Sequence, residues 1–385
     1  MAEPFKNLIN AEVVRQVGHH LGRVWPAFPR ARFEQLALDD LEALEFKARA
    51  LHLCAALAQT LPERFAHAAE VLEASLKQVP PPRREHDPDK DLGALRTDES
   101  GVAGWALWAY GEYVARHGLA EPERALQALH AFTQRFTAEF AIRPLIVAHP
   151  ELCFATLKRW VDDPSAHVRR LVSEGSRPRL PWGLRLQALV ADPSPTLPLL
   201  AQLQDDPSAY VRRSVANHLN DIAKDHPHQV VAWVRTHLPD APATREKLLR
   251  HACRSLIKQG HAETLAAWGL GTPFEGTVAL QLGTDQLAIG EALPIRVVLQ
   301  SQAAGPQELV LDYRVHHLKA NGERAPKTFK GKRFALAAGE PWHWAKQHSF
   351  KPVTTRTLYP GPHQIDICIN GQTVASAVFE LQPGA

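Results

Sequence analysis

At 385 residues the chain exceeds one ordinary domain, and apolar and charged fractions of 45% and 22% are those of a soluble globular protein. No run approaches about 18 consecutive apolar residues, so no membrane span is predicted, and the opening Met1-Ala2-Glu3-Pro4-Phe5-Lys6-Asn7 places an acid where a secretory signal needs an apolar stretch. The net charge of +3 is small and unevenly spread: residues 1–150 are slightly acidic, and the basic excess lies in residues 151–270.

From Ala11 to about Leu270 apolar residues recur at helical spacing, as in Leu51, Cys54, Leu57 and Leu61. The longest interruption, Val79 to Asp89, is rich in proline and charge. It reads as a surface loop between helices; Arg83 and Arg84 would also suit a strand-gripping loop, against which its acids weigh. Further on, Asp162-Asp163-Pro164-Ser165-Ala166-His167-Val168-Arg169-Arg170 returns as Asp205-Asp206-Pro207-Ser208-Ala209-Tyr210-Val211-Arg212-Arg213. A repeat of about 40 to 47 residues built on paired helices is the mark of a HEAT-type solenoid, whose units bury their apolar faces only against one another. Helices are predicted over Ser165–Arg177 and Ser208–Lys224, each opened by an Asp-Pro-Ser start that supplies a cap and a first-turn proline. A third is predicted from Arg245 to Lys258.

The faces of the two copies separate. Val168, Leu171 and Val172, and in the second copy Val211, Val215, Leu219 and Ile222, form stripes that predict a buried side. Arg170, Glu174 and Arg177 share another face, as do Arg213, Asn217, Asn220, Asp221 and Lys224. The position held by Glu174 in the first copy is held by Asn217 in the second, so equivalent places carry different chemistry. With Arg250, Arg254 and Lys258 from the third helix, three arginine ladders are expected on one inward-curving surface. Such a surface suits a duplex phosphate backbone. Alternatively Arg170 and Glu174 form an ordinary surface pair, although Arg213 has no matching acid.

After Gly269-Leu270-Gly271-Thr272-Pro273 the pattern changes to short alternating runs: Thr277–Leu282, Leu293–Gln300, Glu308–Leu318, His348–Val353, Gln364–Ile369 and Thr373–Leu381. Asn321-Gly322 and Asn370-Gly371 predict hairpin turns. Six or seven strands in about 110 residues predict an immunoglobulin-like sandwich. The expected domains are therefore an all-α HEAT-like helical-repeat solenoid over 1–272 and an all-β sandwich over 273–385. Lys330, Lys332 and Arg333, interleaved with Phe329 and Phe334, read either as phosphate contacts or as an ordinary solvated hairpin. Cys54, Cys153, Cys253 and Cys368 lie far apart with no Cys-x-x-Cys, which predicts buried thiols in a reducing cytosol. Trp160 is expected to pack, and Trp342-His343-Trp344 to sit at the core or edge of the sandwich.

Three segments carry a family resemblance: Arg169-Arg170-Leu171-Val172-Ser173-Glu174-Gly175-Ser176-Arg177-Pro178-Arg179-Leu180-Pro181-Trp182, Phe136-Thr137-Ala138-Glu139-Phe140-Ala141-Ile142-Arg143-Pro144 and Val215-Ala216-Asn217-His218-Leu219-Asn220-Asp221-Ile222. With the opening Ala2-Glu3-Pro4-Phe5-Lys6-Asn7-Leu8-Ile9-Asn10, the chain resembles the AlkC branch of the HEAT-like DNA alkylation-repair glycosylases, and its strand region resembles the Ig-like appendage of a subset of them. The resemblance implies hydrolysis of the N-glycosidic bond of a cationic methylated base (3-methylcytosine, 1-methyladenine or 3-methyladenine) in double-stranded DNA, without rotation of the base into a deep pocket.

By family pattern Glu139, Glu174 and Trp182 fall on the catalytic positions, with Asp221 a further candidate. An ionised carboxylate would stabilise an oxocarbenium-like sugar as the base departs, and Trp182 would offer an aromatic face to the cation. Arg143, Arg170 and Arg177 are expected to hold the acids ionised and, with Arg179, Arg213, Asn217, Asn220, Arg250 and Arg254, to contact DNA. The plainer readings are a Glu139–Arg143 helix pair and a Trp182 packed on the core. No cofactor or metal is expected, and the histidine pairs lack companions at metal-binding spacing. A monomeric, cytoplasmic, monofunctional enzyme follows; a non-catalytic HEAT scaffold and a damage binder that cuts nothing are the rivals.

Overall fold

The computed structural model describes residues 4–85, 95–270, 272–354 and 356–384. Ala2 and Glu3 of the resembling opening, the end of the proline-rich stretch from His86 to Asp89, and Gly271 of the expected boundary lie outside the described residues. Among the described residues no helix is long and apolar enough to cross a membrane.

The chain divides into two compact units: Met1–His226 with Asp240–Ala252, and Pro227–Pro239 with Cys253–Ala385. The first is helical. Helix Ala11–Val24 packs on Arg30–Leu38, Phe46–Ala58 on Leu107–His117, and Phe65–Ala74 on Pro122–Thr133. The repeat helices follow as Ala166–Gly175 and Ala209–Ile222, packed on each other, and the second also packs on Ala243–Ala252. Their predicted stripes are buried at every position, Val168, Leu171 and Val172 in one and Val211, Val215, Leu219 and Ile222 in the other, so each copy's apolar side is closed by its neighbours.

The starts of the two helices differ from the expected cap. Neither Ser165 nor Ser208 caps with its side chain, and both prolines precede the cap position instead of occupying the first turn. Asp163 accepts from the Ser165 amide at 2.7 Å and Asp206 from the Ser208 amide at 2.9 Å, so the acid two residues upstream closes the turn. The copies are joined by a buried pair: Arg169 Nε lies 2.6 Å from Asp206 Oδ2 and its Nη2 3.0 Å from Oδ1, both side chains being almost wholly enclosed.

The third predicted helix is broken. Ala243–Ala252 ends, Cys253 takes φ −84° and ψ 0°, and Arg254–Gln259 begins a separate helix. Ala252 and Cys253 belong to different compact units, so Arg250 and Arg254 lie on separate helices and not on one.

The second unit holds helices Pro227–His237, Arg254–Gln259 and Ala262–Ala267 together with the strand region. Among the described residues eight strands form two sheets: β1 (Gly276–Leu282), β3 (Ala292–Ser301) and β6 (Pro341–Ser349) in one, ordered β1-β3-β6, and β2 (Gln286–Ala288), β4 (Gln307–Leu318), β5 (Arg324–Leu336), β7 (Gly361–Ile369) and β8 (Gln372–Gln382) in the other, ordered β2-β8-β7-β4-β5. Every pair is antiparallel except β2 with β8. The inward positions alternate, with Leu293, Ile295, Val297 and Leu299 from β3 facing a core shared with Leu309, Leu311, Tyr313, Val315, Ile365, Ile367 and Ile369. The chain is thus an all-α repeat region followed by an immunoglobulin-like sandwich.

The strand predicted at His348–Val353 is displaced: β6 runs from Pro341 to Ser349, and β5 replaces what read as a hairpin. Both are strands with few buried side chains, so their apolar alternation is weak; β6 is anchored by Trp342, whose ring stacks on Phe334 at 3.6 Å. The turns at Gly322 and at Asn370-Gly371 have the positive φ that hairpin chemistry requires. At Gly371 glycine is also demanded by space, since a Cβ there would lie 2.4 Å from the Gly260 backbone. All four cysteines are free and buried. Trp160 contacts His130, ring to ring, at 5.3 Å.

Candidate active site and nucleic-acid interface

Three of the predicted acids are linked through two arginines. Arg170 Nη1 lies 2.6 Å from Glu139 Oε2, and its Nη2 3.6 Å from Glu174 Oε1. Arg177 Nη1 lies 2.6 Å from the same Glu174 oxygen, and its Nη2 2.8 Å from Asp221 Oδ2. Lys224 Nζ closes the series 2.9 Å from Asp221 Oδ1. The first repeat helix contributes Arg170 and Glu174, the turn behind it Arg177, the second repeat helix Asp221, and the turn after that helix Lys224.

Glu139 lies in the turn before helix Ile142–Ala148, not on a helix with Arg143, which is why the spacing-based Glu139–Arg143 pair does not form. Thr137 Oγ1 donates to Glu139 Oε2 at 2.6 Å and fixes the carboxylate against Arg170. Nor is Arg170–Glu174 a solvated surface pair. Glu174 is buried, and Arg170 also lies over the Tyr210 ring at 5.0 Å.

Glu174 takes a further bond from Ser214 Oγ at 2.6 Å. Burial alone would push its carboxyl up, but Arg170 and Arg177 outweigh that and, with the hydrogen bonds from Ser214 and Arg177, hold it below the ordinary glutamate value. It is therefore an anion at neutral pH. Burial also works to lower the pKa of Arg170, which the Tyr210, Glu139 and Glu174 charges reverse, leaving it above the ordinary arginine value. His218, next to this cluster and fully enclosed, is pushed down to about 4 by burial.

Trp182 stands apart from the acids' hydrogen bonds. It sits on the turn after Arg177 with φ +62° and 83% of its surface exposed, so it is not packed on the core. A bulky side chain in left-handed backbone is rare and marks a position held by its surroundings.

Several predicted DNA contacts are relocated. Arg143 is fully buried, donating from Nη1 to the Gly175 carbonyl at 2.9 Å and from Nε to the Leu184 carbonyl, so no surface is left for a phosphate. Arg177 is enclosed between Glu174 and Asp221, and Asn220 is buried. Arg179 is partly exposed and held by both oxygens of Asp225 at 2.6 Å. Arg213 is exposed, Arg250 half-buried, and Asn217 half-buried with its Oδ1 3.0 Å from His251 Nε2.

On the sandwich, Lys330, Lys332 and Arg333 are all exposed on β5. A bulge at Gly331 separates them: Lys330 pairs with Asp312 and Arg333 with Val310, on one face, whereas Lys332 pairs with the inward Leu311.

Sequence reasoning missed Ser214 and Tyr210. The signal was present in the repeat itself, since Ser214 occupies the place of Leu171 and Tyr210 that of His167. A hydroxyl replacing an apolar stripe residue marks a buried polar demand, here Glu174.

Stacked helical repeats that enclose a carboxylate–guanidinium network, followed by an Ig-like sandwich, define a HEAT-like protein with an Ig-like appendage. The family described as "Uncharacterised protein YhaZ, C-terminal Ig-like domain" matches residues 277–383. Over 386 residues the chain is 36% identical to the "Uncharacterized protein YhaZ" of Bacillus subtilis (strain 168), covering 98% of this chain and 99% of that protein. It is also similar to the structure of Pseudomonas fluorescens alkylpurine DNA glycosylase AlkC bound to DNA containing an abasic site analog, with a TM-score of 0.87 and 34% identity, over 99% of this chain and 100% of that one. The chain belongs to the AlkC family of HEAT-like DNA alkylation-repair glycosylases, in the form that carries a C-terminal Ig-like domain.

Proposed function

We propose that the protein is a DNA repair glycosylase that hydrolyses the N-glycosidic bond of cationic alkylated bases, namely 3-methylcytosine, 1-methyladenine and 3-methyladenine, in double-stranded DNA without base flipping. The observation that carries this is the convergence of Glu139 and Glu174 on one guanidinium, Arg170, with Asp221 joined through Arg177.

An alkylated cationic base leaves as a neutral molecule, taking the electron pair of the C1′–N bond and leaving positive charge on the sugar. A buried carboxylate beside C1′ stabilises that charge, and the barrier falls because the anion is already in place. Glu174 does this in its ionised form; Glu139 orients the attacking water, whose oxygen bonds to C1′ as its proton passes to the carboxylate or to solvent. Trp182 presents its ring to the cationic base or sugar, an interaction of about 0.5 to 2 kcal/mol that an undamaged base lacks. Asp221 and Arg177 keep Glu174 in register. Residues 1–272 form the glycosylase domain and 273–385 the DNA-contacting Ig-like domain. Arg179, Arg213, Asn217, Arg250 and Arg254 serve phosphate contact, and Lys330 and Arg333 do so from the sandwich. The enzyme acts as a cytoplasmic monomer without cofactor.

The test is incubation with duplex containing 3-methylcytosine or 3-methyladenine, scored for abasic sites. Release above background is expected. Binding without release supports a damage binder, and neither binding nor release a scaffold; both outcomes contradict the enzyme.

A further inference from the structure

We infer that Arg143 is a positioning residue that sets the Trp182 ring, acting through the turn and not through DNA; this rests on the reading of Trp182 as the face offered to a cationic base. One guanidinium grips both ends of the segment that carries the tryptophan: Nη1 donates to Gly175 O at 2.9 Å, at the end of the Glu174 helix, and Nε donates to Leu184 O, just past Trp182. A planar fork with fixed donor directions suits this task, because two carbonyls from different parts of the chain are bound at a set spacing.

Space around the turn agrees. A Cβ at Gly183 would lie 3.0 Å from Leu180 Cδ2, 3.3 Å from Arg143 Cδ and 3.4 Å from its Nε, so the arginine stem and Leu180 together form the floor on which the turn rests. Trp182, the residue before, is forced to φ +62° with its ring largely in solvent. It has little packing of its own, so its direction is set by the backbone. That backbone is closed further by the Gly183 amide on Leu180 O at 3.3 Å and the Leu186 amide on Pro178 O at 3.2 Å.

The third guanidinium nitrogen, Nη2, is buried and has no hydrogen-bond partner among the described residues. A guanidinium used for charge alone would be paired with one of the nearby acids. Glu139, Glu174 and Asp221 reach Arg143 only through their field, while its two bonds go to carbonyls that tie Glu174's helix end to Trp182's turn. The spacing between carboxylate and aromatic face is thereby fixed in one side chain.

Arg143→Lys separates shape from charge, since lysine keeps the cation but cannot bind both carbonyls with a planar fork. Two readouts are made on the full chain. The first is the indole ¹H–¹⁵N resonance of Trp182, assigned by its loss in Trp182→Phe; it is expected to shift or broaden in Arg143→Lys while the other indole signals keep their places. The second is excision selectivity for a cationic over a neutral alkylated base, expected to fall on the order of tenfold in Arg143→Lys and in Trp182→Ala, with the double variant no worse than Trp182→Ala. An unmoved Trp182 resonance overturns the inference, as do losses that multiply in the double variant. The resonance is read without turnover, so a moved signal in a chain that excises nothing upholds the clamp and sinks only the function it was thought to serve. Should Arg143→Lys fail to fold, Gly183→Ala, which crowds the same stem together with Leu180, is read by the same resonance with the same two outcomes, with Leu180→Ala in the same background relieving the leucine contact so that a signal still moved is assigned to the stem.

Discussion

Ser214 Oγ donates a 2.6 Å hydrogen bond to Glu174 Oε2, from one copy of the repeated helix to the other. Charge-assisted bonds to a buried anion are among the stronger polar contacts, so the second repeat stabilises the ionised form of an acid held by the first. Ser214→Ala is expected to raise the Glu174 pKa towards its ordinary value and to cost about 1–3 kcal/mol for the lost partner. In a pH–rate profile of excision the acid limb should move to higher pH; an unmoved limb contradicts the assignment of that limb to Glu174.

Acid should weaken the fold through His218. Its folded value of about 4 lies below the ordinary imidazole value of 6.5, because burial disfavours the cation. Between those values the unfolded chain binds more protons than the folded one, so stability is highest above pH 6.5 and falls as pH drops towards 4, by about 3 kcal/mol for the group. Glu174, whose folded pKa is also depressed, loses its contribution in the same direction as pH falls through its folded value. Urea unfolding at pH 7 and pH 5 should show the slope, and His218→Gln should flatten it; an equal slope in the variant would show that other groups carry it.

Arg169 and Asp206 predict a stability effect separate from chemistry. Both are almost fully enclosed and bound at 2.6 and 3.0 Å. Arg169→Met leaves Asp206 as an uncompensated buried charge and should cost about 3–5 kcal/mol in denaturant unfolding. A loss under about 1 kcal/mol would mean that Asp206 finds water or another donor.

The repeat, the apolar stripes and the hairpin turns were legible because each depends on local pattern: Val168, Leu171 and Val172 at helical spacing, Asn370-Gly371 at a turn. Glu174 and Asp221 were legible through their placement in the two copies, whereas Glu139, outside both, entered only through the family resemblance. What spacing alone did not show was which partner each would take. The plainer reading of Glu139 pairs it with Arg143 four residues on, yet the chain turns between them, and Glu139 meets Arg170 from another element. Arg143 read as a surface cation, but its site is beneath a turn whose close approach only the folded backbone reveals. The helix break at Cys253 carries no proline or glycine, so nothing in local propensity announces it. β5 and β6 were obscured because strands with few buried residues need little apolar alternation.

The bulge at Gly331 separates the basic residues of β5 into two sets. Lys330→Glu with Arg333→Glu should weaken DNA affinity and reduce its salt dependence, whereas Lys332→Glu, on the other face, should do much less. Equal losses from both changes, measured by fluorescence anisotropy across a salt series, would contradict a contact through the Lys330 face.

The central claim is that an ionised Glu174 stabilises the departing base's sugar, and Glu174→Gln tests it most directly because it keeps shape and removes charge. Single-turnover release from 3-methylcytosine duplex should fall by about 10²–10³-fold, while affinity for the same duplex changes only a few-fold. Release at the unchanged rate, or affinity lost in proportion to release, contradicts the account.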